Sequence, residues 1–152
     1  MARSTFVYVS YIRTTPEKLW SALTDAEYMK QYWFGVHCES QWKAGSSWKM
    51  VSGDGKILDD GEIVEAQPPR RLVIRWRHQN KPELKAEGDS LCTMELEPVE
   101  AAVKLSITHT VEREPSKFIE AVSGGWPKIL SNLKSLLETG SAVLKDPYPP
   151  AT

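Results

Sequence analysis

Two histidines and a set of tryptophans are the residues of this 152-residue chain whose types and spacing suit them to chemistry. His78 ends the alternating run Leu72, Ile74, Trp76, and His109 belongs to the run Val103, Leu105, Ile107, Val111. Successive side chains of an extended strand point to opposite faces, so both rings should face where the apolar residues face. An imidazole there can donate or accept a hydrogen bond, or move a proton near neutral pH. Each histidine lies near the end of its strand, which predicts the mouth of a cavity rather than its floor. General acid–base work would need a partner carboxylate or nucleophile, and alternation pairs no inward Asp, Glu or Ser with either ring. The competing reading is a hydrogen-bonded structural histidine, so no catalytic residue is assigned. Cys92 would complete a set of two histidines and one cysteine, but the spacing is not chelate-like, and neither a metal nor a cofactor is expected.

The tryptophans, six in all, carry the second signal. Trp48 and Met50 share one face of strand 46–51, and Met94 shares a face with Cys92 and Leu96 in strand 91–97. Trp126 and Leu130 lie on the apolar stripe of a C-terminal helix, and Trp33 and Phe34 stand at the end of a short one. With Trp76, His78 and His109 these side chains are the candidate lining of a flat-walled cavity for an aromatic or polycyclic ligand. The same aromatics would also serve as an ordinary core, since each buries 150–250 Å².

The elements that must position these residues follow from periodicity. Between Phe118 and Leu137, at 100° per residue, Phe118, Ile119, Val122, Trp126, Ile129, Leu130, Leu133 and Leu137 share one helical face, while Lys128, Ser131, Asn132, Ser135 and Glu138 take the other. Gly124-Gly125-Trp126-Pro127 interrupts that stripe. Glycine costs about 1 kcal/mol and proline about 3 kcal/mol relative to alanine inside a helix, which predicts a kink or break. Small residues here would either open room for a pocket, allow close packing on a sheet, or divide two helices.

Upstream, residues 5–12 read as a strand, Thr15-Pro16 as the start of a short helix carrying Leu19, Trp20 and Leu23, and Asp25 as the cap of a second. Gly35 should end that second helix in a left-handed conformation. From Val36 to Val111 the chain reads as antiparallel strands, with breaks at Ala44-Gly45, Gly53-Asp54-Gly55, Pro68-Pro69, the segment 80–89 and Pro98. Gly61 suggests a bulge in strand 57–66, whose faces alternation leaves unassigned. Arg70, Arg71, Arg75 and Arg77 read as a solvated outer face balanced by Glu95 or Glu97, and Asp59-Asp60-Gly61-Glu62 as a turn and an exposed strand.

Composition bounds the class. With 41% hydrophobic and 26% charged residues and a net charge of -1, the chain is an ordinary globular one with no field favouring nucleic acid. No apolar run reaches the roughly 18 residues a membrane span needs, and no signal peptide is visible. Cys38 and Cys92 sit in no metal-binding or redox spacing, consistent with reduced thiols and a cytoplasmic location.

Several words of the sequence are more specific: YIRTTPEKLWSALTD at 11–25, YWFG at 32–35, Trp42-Lys43-Ala44-Gly45, EAQPPRRL at 65–72 and GGWPKILSNLKSLLETG at 124–140. In these the chain resembles the START-like (SRPBCC) superfamily, in the AHSA-like branch named after the activator of the heat-shock protein 90 ATPase. The resemblance implies an α+β helix-grip fold: a curved antiparallel sheet of six to seven strands wrapped round a long C-terminal helix, with two short helices after the first strand. It implies one domain over 1–140, followed by a proline-rich tail at 141–152. It also implies a cavity between helix and sheet that holds hydrophobic small molecules, and it supplies no shared catalytic motif. The expectation is non-enzymatic binding of an apolar small molecule without membrane insertion. The alternatives are a co-chaperone or stress-related partner module, and an enzyme using a pocket histidine as general base. A homodimer or protein partner stays open.

Overall fold

The alternating runs form seven strands in a computed structural model that describes residues 3–79, 81–113 and 115–145. They are β1 (Ser4–Ile12), β2 (His37–Ser40), β3 (Ser47–Val51), β4 (Ile57–Gln67), β5 (Arg71–His78), β6 (Ser90–Val99) and β7 (Ala102–Val111). All pairings are antiparallel, in the order β1-β7-β6-β5-β4-β3-β2. The inner face is the apolar one: Leu72, Ile74 and Trp76 of β5 and Val103, Leu105, Ile107 and His109 of β7 are all buried. The arginines of β5 lie outside, where Arg71 meets Glu65 and Glu95, Arg75 meets Glu62, and Arg77 meets Asp89.

Helices α1 (Pro16–Thr24) and α2 (Ala26–Tyr32) follow β1, and each starts where its cap predicts. The Thr15 hydroxyl accepts from Lys18 N, and the Asp25 carboxylate accepts from Glu27 N. Gly35 is left-handed, with φ 83°, and so is Phe34 before it, with φ 54°. A four-residue helix, α3 (Pro82–Lys85), occupies part of the segment expected to be a turn. Pro98 does not end a strand; β6 continues through it to Val99, and the turn falls at Glu100, with φ 54°.

Helix α4 (Lys117–Thr139) closes the inner face of the sheet. Its N-terminus is held twice: Ser116 Oγ accepts from Ile119 N, and the Glu87 carboxylate accepts from Ser116 Oγ at 2.6 Å and Lys117 N at 2.8 Å. These contacts satisfy donors that a helix start leaves unpaired and set a negative charge against the positive end of its dipole. Gly140 ends it at φ 91°. The expected break at Pro127 is absent, and α4 runs as one helix through it. Proline there removes one hydrogen bond, but Trp126, Leu130 and Leu133 on the same turns are almost wholly buried. Large apolar side chains contribute about 1.5–3 kcal/mol each on burial, which outweighs the proline cost. The helix-grip architecture is thus a seven-stranded sheet holding one long helix.

Two residues behave otherwise than periodicity suggests. Asn132, expected on the wet face, is 1% exposed, because the chain beyond α4 folds back over it. Its Oδ1 accepts from Val143 N and Leu144 N, and its Nδ2 donates to Leu144 O and Tyr32 O. The proline-rich stretch at 146–150 lies outside the described residues. Gly61 is not the bulge; the register of β4 slips instead between Ile63 and Glu65. A Cβ at Gly61 would stand 1.8 Å from the Arg75 carbonyl oxygen, so glycine is there for close backbone approach. At Gly124 a Cβ would meet nothing within 4 Å. Gly61→Ala should therefore cost about 2 kcal/mol or more through overpacking, whereas Gly124→Ala should gain up to about 1 kcal/mol of helix stability. Urea unfolding midpoints of the two variants should move in opposite directions.

Candidate functional site

The site is built around an aromatic cluster between α4 and the middle of the sheet. Trp48 of β3, Gly61 of β4 and Trp76 of β5 are register neighbours across three strands. With no side chain between them, the two indoles meet with centroids 4.7 Å apart. Trp126 of α4 meets Trp76 edge-on at 5.9 Å, and Phe118 meets it at 6.3 Å. Trp33, at the end of α2, meets Trp126 at 5.5 Å. Edge-to-face and offset pairs of this kind are favourable beyond their burial.

Beside this cluster the packing opens. One cavity of about 370 Å³ lies among Trp33, Phe34, Met50, Leu58, Gly124 and Gly125, and a second of about 180 Å³ among Trp33, Met50, Trp76, His78, Phe118 and Gly125. Trp33, Met50, Ala121, Gly125 and Ile129 line both, so the two form one cleft running along α4. Ala121 and Gly124 are exposed at its rim. Both helix glycines line it, and a Cβ at either would meet nothing within 4 Å.

The sequence-predicted residues divide between this cleft and the packed core. Trp33, Phe34, Met50, Trp76, His78 and Trp126 line the cleft. Trp48, Met94 and Leu130 line only a void of about 10 Å³, too small for a ligand, because the Trp48–Trp76 pair and α4 fill that side. His109 lines neither cavity. It is 0% exposed rather than at a mouth, because Trp126 and Phe118 of α4 cover it. Its surroundings also fix its tautomer. The Trp126 indole N–H donates to Nδ1 at 3.2 Å, so Nε2 carries the proton and donates to Ser90 Oγ at 2.8 Å. Ser90 in turn donates to the Trp76 carbonyl at 3.0 Å. Every polar atom of that chain has a partner, and burial pushes the His109 pKa down to about 3.

His78 is different, and its partner is a residue that alternation did not find. Asp59, expected on an exposed strand, is 4% exposed and directly opposite His78 in the β4–β5 register. Its Oδ2 accepts from the Trp76 indole N–H at 2.6 Å, and its Oδ1 lies 2.8 Å from His78 Nδ1. Burial pushes the Asp59 carboxyl pKa up, opposed by the Trp76 hydrogen bond and the nearby imidazole. The available signal was Ile63: an inward Ile63 brings Gly61 and Asp59 to the same face by period two. Among the described residues no three His, Cys, Asp or Glu side chains gather to hold a metal ion, and no helix is long and apolar enough to cross a membrane.

This architecture agrees with comparisons to known proteins. The family described as Activator of Hsp90 ATPase homolog 1-like protein matches residues 13–138. The chain belongs to that family. Among solved members of the same fold, an HSP90 activator from Plasmodium falciparum is 26% identical, with a TM-score of 0.71 over 88% of this chain and 95% of that one. The Aha1 dimer from Colwellia psychrerythraea is 24% identical, with a TM-score of 0.72 over 90% and 98%. DynU16, from the dynemicin biosynthetic locus, is 21% identical, with a TM-score of 0.74 over 91% of this chain and 48% of that one. A search of curated proteins found no match.

The buried histidine generates a prediction about acid stability. With a folded pKa near 3 and an unfolded value near 6.5, His109 takes up a proton on unfolding between those pH values. Its contribution is therefore complete above about pH 6.5 and falls by up to about 1.4 kcal/mol per pH unit below it. Glutamine at this position keeps both hydrogen-bonding functions without the charge. Thermal unfolding of His109→Gln should accordingly fall less steeply from pH 6.5 to 4 than that of the parent chain, and equal slopes would remove this assignment.

Proposed function

We propose that this family member binds an apolar, aromatic small molecule in the cleft between α4 and the sheet. The observation that carries this reading is the pair of glycines at the cleft. Each costs about 1 kcal/mol in a helix interior, and no neighbouring atom requires its small size. The helix is less stable than it could be, and both glycines lie on the wall of the cleft. Trp33, Trp76 and Trp126 give that space flat apolar walls suited to an aromatic ring. An anilinonaphthalene fluorophore should bind the parent chain with a blue-shifted, enhanced emission. Gly125→Leu should leave the fold intact and weaken that binding about tenfold or more, because its side chain occupies both parts of the cleft. Arg75→Ala, on the outer face, should leave it unchanged. Equal affinity in all three proteins would dispose of the cleft as a binding site.

A second reading, regulation of a chaperone ATPase, is favoured by the family description and by the 26% identical Plasmodium falciparum protein, itself an HSP90 activator. Under this reading, adding the chain to purified Hsp90 should raise its ATP hydrolysis rate in a saturable way. An unchanged rate together with no detectable complex would exclude it.

A further inference from the structure

One polar feature of the cleft is left unfinished by the protein itself. His78 Nδ1 lies 2.8 Å from Asp59 Oδ1, yet that oxygen and His78 Nε2 are both buried without a well-directed hydrogen bond among the described residues. The Asp59 side chain is only 6% exposed, and its other oxygen is tied to the Trp76 indole, so the carboxylate is held where it is. Buried polar atoms without partners are costly and uncommon in folded proteins. His109, two strands away in the same aromatic cluster, shows the usual solution, with a partner on each ring nitrogen. The difference between the two histidines is that His78 borders the cleft.

We infer that His78, oriented by Asp59, is the hydrogen-bonding anchor of the cleft, and that the ligand class is a hydroxylated aromatic. This deepens the small-molecule reading and rests on it. A hydroxyl both donates and accepts, so it meets Nε2 of a neutral imidazole as donor and of a charged one as acceptor. A pure hydrocarbon would leave Nε2 unpaired. The rest of the ligand meets rings: Phe118 stands edge-on to His78 at 6.2 Å, with Trp76 and Trp126 beside it. Asp59 is a positioning residue in this scheme, since the contact with ligand is made by His78 alone.

The test compares β-naphthol with its methyl ether, which has the same aromatic body but no hydroxyl donor. Calorimetric titration of the parent chain should show β-naphthol binding about tenfold tighter than the ether. In His78→Leu the preference should vanish through loss of β-naphthol affinity, with the ether bound as before, and His78→Gln should keep part of it. In the parent chain the His78 imidazole nitrogen resonances should shift on adding β-naphthol and not on adding the ether, a readout independent of whether a variant folds. Equal affinities in the parent chain, or a preference that survives in His78→Leu, would overturn the anchor while leaving the cleft as a binding site. Failure of both compounds to bind would overturn the cleft reading and the anchor with it.

Discussion

The hydrogen bond from the Trp76 indole to Asp59 is the interaction on which the interior of this chain depends. It is short, at 2.6 Å, and it ties the fifth strand to the fourth directly beneath the closing helix. With its N–H engaged, the indole is fixed in orientation, and Trp48, His109, Phe118 and Trp126 all pack against it. Removing a buried tryptophan of this kind typically costs about 3–5 kcal/mol. Here it would also free a buried carboxylate of its strongest donor. The same contact thus sets where α4 rests and which way Asp59 faces, so architecture and candidate site share one determinant.

From that point outward the two halves of the inner face diverge. On the side of β6 and β7 the cluster is closed: His109, Ser90 and the Trp76 carbonyl form a satisfied chain, and Cys92 is buried with its thiol pKa raised by desolvation. On the side of β3 and β4, α4 presents Gly124 and Gly125, and the packing does not close. The asymmetry follows from side-chain size along one helix. Leu130 and Leu133 fill the space beneath the later turns, and nothing fills it beneath the glycines. Native interiors are close-packed, so a cleft of this size beside an otherwise dense core is a specific property of this helix rather than general looseness.

Much of this was legible in the sequence, for reasons that are local. Alternation in 71–78 and 102–111 and the 3.6-residue stripe of α4 are repeated many times over, so each names its own inward face. The caps Thr15, Asp25 and Gly35 act within a few residues and were equally readable. What could not be read depends on distance. Asp59 lies on a strand whose register slips, and its inward direction is meaningful only opposite His78, nineteen positions on. Asn132 is polar and on the expected wet face, and only the return of Val143 and Leu144 buries it. Pro127 breaks a local rule, and tertiary burial overrides it.

The two histidines make the same point where it bears on function. Both occupy inward positions near strand ends, and no property of either tripeptide distinguishes them. The distinction arises because α4 lays both Trp126 and Phe118 against His109, while of the two only Phe118 reaches the ring of His78. An imidazole sealed under an indole donor is held neutral, with no free valence to offer a ligand. The imidazole beside the cleft, backed by a fixed carboxylate, has a buried Nε2 with no hydrogen-bond partner among the described residues. The position of a single helix therefore leaves one of two similarly placed histidines sealed in a satisfied network and the other beside the cleft.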